Sequence, residues 1–305
     1  MARRRLLRRG LLVVAAVVIG AGLGLALDIA RDGGLAAWLT PGLHEAPGPT
    51  YVASGVSVDV DGRTVYIDCR GAGSPTVILE AGFGGGADAW GTLLDGLAAV
   101  TRTCAWDRPG LGRSTSRGLH SGAEAVTDLR SALAAADERG PYVVVAHSLG
   151  GIYARLFAAT AGDPVVGLVM LDTYEPDLGM DADPALDPAF RDEIRRSLDD
   201  ANSTFRQGEG LDLTATLPEL QAADAKLPKT LLLYTDPYGR YQQPDQEAKV
   251  AAWYRAIRAR YPRAELEIVP GVSHFIHFDR PDLVIDRVRQ MIQGLGPAVT
   301  PGPSG

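Results

Sequence analysis

The chain has little cysteine, little histidine and no excess of positive charge. Its 305 residues include two cysteines, Cys69 and Cys104, which leaves one disulfide or two separate buried thiols. In an exported chain the even count favours the disulfide. Five histidines are present, so the search for a general base is short. The formal net charge of −7 provides no basic surface and argues against nucleic acid as a partner. No segment repeats at a period of about 20–50 residues, which argues against solenoids and propellers. What is present is an ordinary globular composition, 46% hydrophobic and 22% charged, near the upper length for a single hydrophobic core.

Residues 1–27 stand apart. MARRRLLRRG carries Arg3, Arg4, Arg5, Arg8 and Arg9, and the run from Leu11 to Leu27 has no charge until Asp28. A basic head and an apolar run of about 17 residues fit a cleaved export signal or a single membrane anchor. Gly24 and Ala26 form a small-x-small pair suited to cleavage after Ala26, and RRRLL loosely resembles a twin-arginine signal. A buried helix of the fold is the poorer reading, because the arginines would flank a core element. In each export reading the arginines stay in the cytoplasm and the rest of the chain crosses the membrane, tethered through this segment or secreted. Residues 28–54, rich in Gly, Pro and Ala, read as a linker; 55–295 as the folded domain; 296–305 as a disordered tail.

Within the domain, β-branched runs alternate with Ala/Leu-rich helical stretches. GVSVDV and RTVYIDC flank a DG turn and read as a hairpin. TVILEAG, TRTCAWD, YVVVAHS, VVGLVMLD, KTLLLYTD and AELEIVPG follow as strands separated by helical segments. One helix, from Gly122, carries Ala125, Leu129, Leu133 and Ala136 at helical spacing and is expected to stop at Gly140. This order predicts an α/β fold: a mostly parallel sheet of about eight strands with helices on both faces. A stretch of about 55 residues between VVGLVMLD and KTLLLYTD breaks the rhythm and is too long for a plain loop. Its segment DPAFRDEIRRSLDDANSTFRQG is polar and helical, so residues 174–227 read as a helical cap over the strand ends.

In VVVAHSLGG a serine, Ser148, stands between a strand and a helix, the setting of a nucleophile elbow. The sharp turn demands small neighbours, and Ala146, Gly150 and Gly151 meet that demand. A plain structural serine at a strand-to-helix turn is the bland alternative. The base must come late in the chain, and His274, in the loop after the last strand, suits that order better than His277. His147 abuts the serine, but strand alternation turns its side chain elsewhere. Two aspartates end strands at the carboxyl edge of the sheet, Asp236 and Asp172, and either suits the third position; Asp236, on the strand before the one leading to His274, is favoured narrowly. The backbone N–H of Leu149 and that of Phe83, in the glycine loop EAGFGGGADAW, are the expected oxyanion donors. No Lys-Ser/Thr pair follows that loop, which argues against a phosphate cradle.

Taken together, TVILEAGFGGGADAW, CAWDRPGLGRS, VVVAHSLGGIYARLFA and PGVSHFIHFDRPDLVIDRVRQ resemble the α/β-hydrolase fold superfamily, in its serine hydrolase and esterase branch. The resemblance runs from about residue 55 to 295. It implies cleavage of a carboxylic ester or related acyl bond through an acyl-enzyme, on a small acyl substrate and with neither cofactor nor metal. A peptidase or acyltransferase on the same machinery, or a non-catalytic binding protein of the same fold, are the alternatives. The chain departs from the pattern at Ala81-Gly82, where relatives usually carry His-Gly, and at Ala146, where they carry Gly. Many relatives place their acid where Asp172 stands. Epoxide hydrolases and dehalogenases of this fold use an aspartate nucleophile, and Ser148 argues against both. The superfamily's strand order also sets the strand of Cys69 antiparallel beside that of Cys104, which implies a Cys69–Cys104 disulfide.

Overall fold

Strand β5, Tyr142–His147, is buried along its whole length. Tyr142, Val144 and Ala146 enter the hydrophobic cluster on one face of the sheet, and Val143 and Val145 enter the cluster on the other. A strand covered on both faces carries a continuous apolar run, which is why VVVA reads as it does. The computed structural model describes residues 51–295, apart from 161, 163, 179–183, 185, 187, 224–226 and 236–245.

Before β5 come β1 (Val56–Val60), β2 (Arg63–Arg70), β3 (Thr76–Glu80), α1 (Gly91–Ala98), β4 (Thr103–Trp106) and α2 (Gly122–Ala135). After it come α3 (Gly150–Ala159), β6 (Val165–Leu171), α4 (Pro188–Gly208), α5 (Leu213–Ala223), β7 (Lys229–Thr235), α6 (Gln246–Arg260), β8 (Glu265–Val269) and α7 (Pro281–Gly294). The eight strands form one sheet in the order β1-β2-β4-β3-β5-β6-β7-β8. The β1–β2 hairpin and the β2–β4 pair are antiparallel, and every other pair is parallel. This is the α/β architecture expected from the order of runs. Helices α1 and α7 bury Leu93, Leu94, Leu97, Val284, Val288 and Met291 against one face. Helices α2 and α3 cover the other with Val126, Leu129, Ile152 and Phe157. Cys69 and Cys104 are register partners across β2 and β4 and are joined by a disulfide.

Helix α2 starts on a capping box: Glu124 N–H donates to the Ser121 hydroxyl, and Ser121 N–H donates to the Glu124 carboxylate at 2.8 Å. It ends at Ala135 rather than at Gly140, because Asp137 takes a left-handed backbone (φ 58°) and turns the chain first. In the long insert, α4 covers the expected polar segment and buries Ala201 and Phe205. The insert holds a second helix, α5, although Pro218 inside it reads as a breaker. It starts where Asp212 accepts a hydrogen bond from Ala215 N–H, and Leu213 and Leu220 bury it in the core cluster. No helix among the described residues is long and apolar enough to cross a membrane. The hydrophobic segment 1–27, most of the linker and the tail 296–305 lie outside the described residues.

Candidate active site

Ser148 follows the last residue of β5 and takes a left-handed backbone, φ 51°. That conformation is strained for a residue with a Cβ and persists only where the surroundings over-determine it. Here they do. Ser148 N–H donates to the Leu171 carbonyl at 3.1 Å, and the Ser148 carbonyl accepts from Tyr174 N–H at 2.9 Å and Gly151 N–H at 3.0 Å. At Gly150 a Cβ would lie 2.1 Å from the Glu80 carbonyl oxygen, so helix α3 reaches the sheet only because that residue has no side chain. Ser148 is half-buried while its neighbours from Tyr142 to Gly150 are buried, so it is the exposed point of the turn.

His274 lies five residues beyond the end of β8, and its Nδ1 is 2.8 Å from Asp172 Oδ2, with both side chains buried. Asp172 is the residue after β6 and is also left-handed, φ 45°. Ser148 and Asp172 are thus two of only four non-glycine residues with positive φ among those described, and they follow register partners, His147 and Leu171, on adjacent strands. The sequence alone favours Asp236 as the partner of His274. In the structure His274 pairs with the alternative, Asp172, whose strand β6 adjoins β5 directly; Asp236 lies outside the described residues. With Asp172 accepting from Nδ1–H, the other ring nitrogen, Nε2, is left with its lone pair. Neither His274 Nε2 nor the Ser148 hydroxyl is hydrogen-bonded among the described residues.

His147 belongs to the site. Its side chain leaves the sheet on the face of Val143 and Val145 and packs against the His274 ring, centroids 4.6 Å apart. Its Nε2–H donates to the His274 carbonyl at 3.1 Å, since a carbonyl only accepts. Burial, and then the neighbouring His277 and His274, hold His147 well below the ordinary histidine range, so it stays neutral while it tethers the His274 loop. His277 is no partner of Asp172. It is buried against His147 and Trp90, and burial pushes it down to about 3.

The segment after β3 lies beside the elbow. A Cβ at Gly82 would sit 3.3 Å from Ser148 Cβ and 2.9 Å from His147 Nδ1, so the backbone comes this close only as glycine. Phe83 and Leu149 N–H have no acceptor among the described residues, whereas Gly84 N–H donates to Glu209 and Gly85 N–H to the Gly82 carbonyl. The two expected oxyanion donors are therefore both unengaged, Leu149 directly after Ser148 and Phe83 directly after Gly82. Arg108, from the loop after β4, donates to the Ala81 and Gly82 carbonyls at 2.6 and 2.7 Å. On α3, Arg155 is fully buried and binds Asp177 twice at 2.9 Å and Glu175 at 3.1 Å, fastening the segment that follows Asp172.

A model of the alpha/beta hydrolase family matches residues 77–287, which contain the elbow, Asp172 and His274. The chain belongs to the alpha/beta hydrolase family. This hydrolase is 27% identical over 227 residues to the uncharacterized protein YqjL of Bacillus subtilis, spanning 74% of this chain and 87% of that one. It is 29% identical over 172 residues to a pimeloyl-[acyl-carrier protein] methyl ester esterase of Pectobacterium carotovorum, spanning 56% of this chain and 64% of that one. It spans less than half the length of several other curated relatives that it matches. Among solved structures, the epoxide hydrolase CorEH superposes with a TM-score of 0.57 over 79% of this chain and 99% of that one, at 17% identity, a likeness of fold.

Proposed function

We propose that this hydrolase is a serine esterase that cleaves a carboxylic ester or related acyl bond through an acyl-enzyme. The observation that carries the reading is the pairing of His274 with Asp172 on the strand end next to the strained Ser148. In this mechanism Ser148 Oγ attacks the substrate carbonyl carbon while its proton passes to His274 Nε2. Asp172 keeps Nδ1 protonated and stabilises the imidazolium. The carbonyl oxygen gains negative charge, which the N–H groups of Phe83 and Leu149 hold. Collapse of the tetrahedral species breaks the bond to the leaving group, which takes the proton from His274. Water, deprotonated by the same imidazole, then attacks the acyl-serine and regenerates the hydroxyl.

A serine at the elbow supports acyl transfer over the epoxide and haloalkane chemistries of related proteins, which the superfamily carries out with an aspartate. In this reading the insert, whose Phe205 meets the Phe83 ring, supplies a wall of the acyl pocket. A fluorophosphonate probe tests the proposal: it should label the wild-type chain at Ser148, and Ser148→Ala should lose labelling and lose ester hydrolysis by about a thousandfold or more. Wild-type protein that resists the probe and turns over no ester would point to a binding protein. Faster cleavage of peptide amides than of esters of matched acyl length would point to a peptidase.

A further inference from the structure

The oxyanion segment is held by two buried side chains, Arg108 and Glu209, and one of them belongs to the insert. Glu209 directly follows α4 and is 4% exposed; Arg108 is 1% exposed. Arg108 Nε donates to Glu209 Oε2 at 3.0 Å and its Nη2 to Oε1 at 2.8 Å, a two-pronged ion pair between residues 101 positions apart. The same guanidinium donates to the Ala81 and Gly82 carbonyls, and Glu209 Oε1 also accepts from Gly84 N–H at 2.7 Å. The Arg108 guanidinium lies over the Tyr153 ring of α3, 4.8 Å from its centroid, so the pair is also braced against the nucleophile's helix.

The geometry bears on catalysis through one peptide plane. The Gly82 carbonyl and the Phe83 N–H belong to the same trans peptide and point in opposite directions. Fixing the carbonyl on Arg108 therefore aims the N–H the other way, and the Gly84 bond to Glu209 fixes the next plane. The Phe83 ring meets Phe205 of α4 at 5.4 Å, a second link between the donor residue and the insert. We propose that Glu209, with Arg108, is a positioning residue that sets the Phe83 donor, so that correct seating of the α4 end is a condition for a competent oxyanion hole. This rests on the serine-esterase reading. A donor displaced by about 1 Å loses most of its effect on the transition state while substrate binding is little changed.

The test uses the full-length chain, a p-nitrophenyl ester as substrate and a fluorophosphonate to count active serines. Glu209→Ala should lower kcat per labelled serine by about a hundredfold, with KM shifted less than about threefold. Glu209→Gln keeps an acceptor for Gly84 N–H and should recover a large part of that loss. Arg108→Lys keeps the charge but not the fork that spans both carbonyls, and should lower kcat as Glu209→Ala does. A merely structural role would reduce the number of labelled serines and leave kcat per serine at the wild-type value; that result in Glu209→Ala, or in Arg108→Lys should Glu209→Ala fail to fold, overturns the proposal. Wild-type protein that fails to label at all overturns the esterase reading beneath it instead.

Discussion

At the scale of single residues, the pairing of His274 makes a sharp distinction between two aspartates. If Asp172 holds the Nδ1–H tautomer, Asp172→Asn should lower kcat by about a thousandfold or more, because an amide stabilises the wrong tautomer and no imidazolium. Asp236→Asn should stay within a few-fold of wild type in the same ester assay. Sequence reasoning separates them only weakly, since both close hydrophobic runs and chain order favours Asp236 while the family pattern favours Asp172; the pairing of His274 in space supports Asp172. Ser148 was legible because its neighbours must be small whatever the substrate. Glu209 was not, since nothing in a polar helical segment marks the one carboxylate whose partner is 101 positions away. His147 was half legible, as alternation gave its direction but not the ring waiting there.

Another residue makes stability depend on pH. Glu80, at the end of β3, is buried beside Trp106 and Arg108, and burial pushes its carboxyl up from 4.5 to about 8, against the pull of Arg108. Between those two values the unfolded chain has released this proton and the folded chain has kept it. Each unit of rising pH in that window therefore removes up to about 1.4 kcal/mol of folding stability, and the loss is complete once pH passes the folded value. Urea unfolding from pH 5 to pH 9 should show this decline in the wild type and a flatter profile in Glu80→Gln. Equal slopes in the two proteins would remove Glu80 as the cause.

At the scale of elements, the strands were the easiest to read. Those buried on both faces consist of β-branched runs, and the two-residue turn at Asp61-Gly62 announces the hairpin. Helix ends were harder. Asp137 stops α2 earlier than the glycine that the pattern points to, and Pro218 hides α5 although tertiary burial holds that helix in place. The Cys69–Cys104 bridge joins β2 to β4 over a sequence separation of 35. Loop-closure entropy for that length gives about 4 kcal/mol, and native disulfides commonly contribute about 2–4 kcal/mol. The double variant Cys69→Ala/Cys104→Ala should lose stability in that range by denaturant titration. Its kcat should stay close to wild type, since the bridge lies on the far side of β3 from the β5 strand end that carries Ser148.

At the scale of the whole molecule, the bridge agrees with the expectation that the arginine-headed apolar segment 1–27 is an export signal. Disulfides persist in oxidising compartments, and a leader of that composition directs a chain into one. We propose that the catalytic domain functions outside the cytoplasm. Fractionation of producing cells should place esterase activity in the membrane or external fraction, with no thiol labelled under denaturing, non-reducing conditions. Activity confined to the cytosol, with two reactive thiols, would reject this location.

The order of strands across the sheet has a mechanical consequence. Traction at the amino end enters through β1 and can peel that strand from β2, then β2 from β4, one backbone contact at a time. Peeling halts at Cys69, where the load passes through sulfur into β4, two strands short of the one that carries the elbow. A load applied at Val56 would thus leave Ser148, Asp172 and His274 in register until the sulfur link is cut.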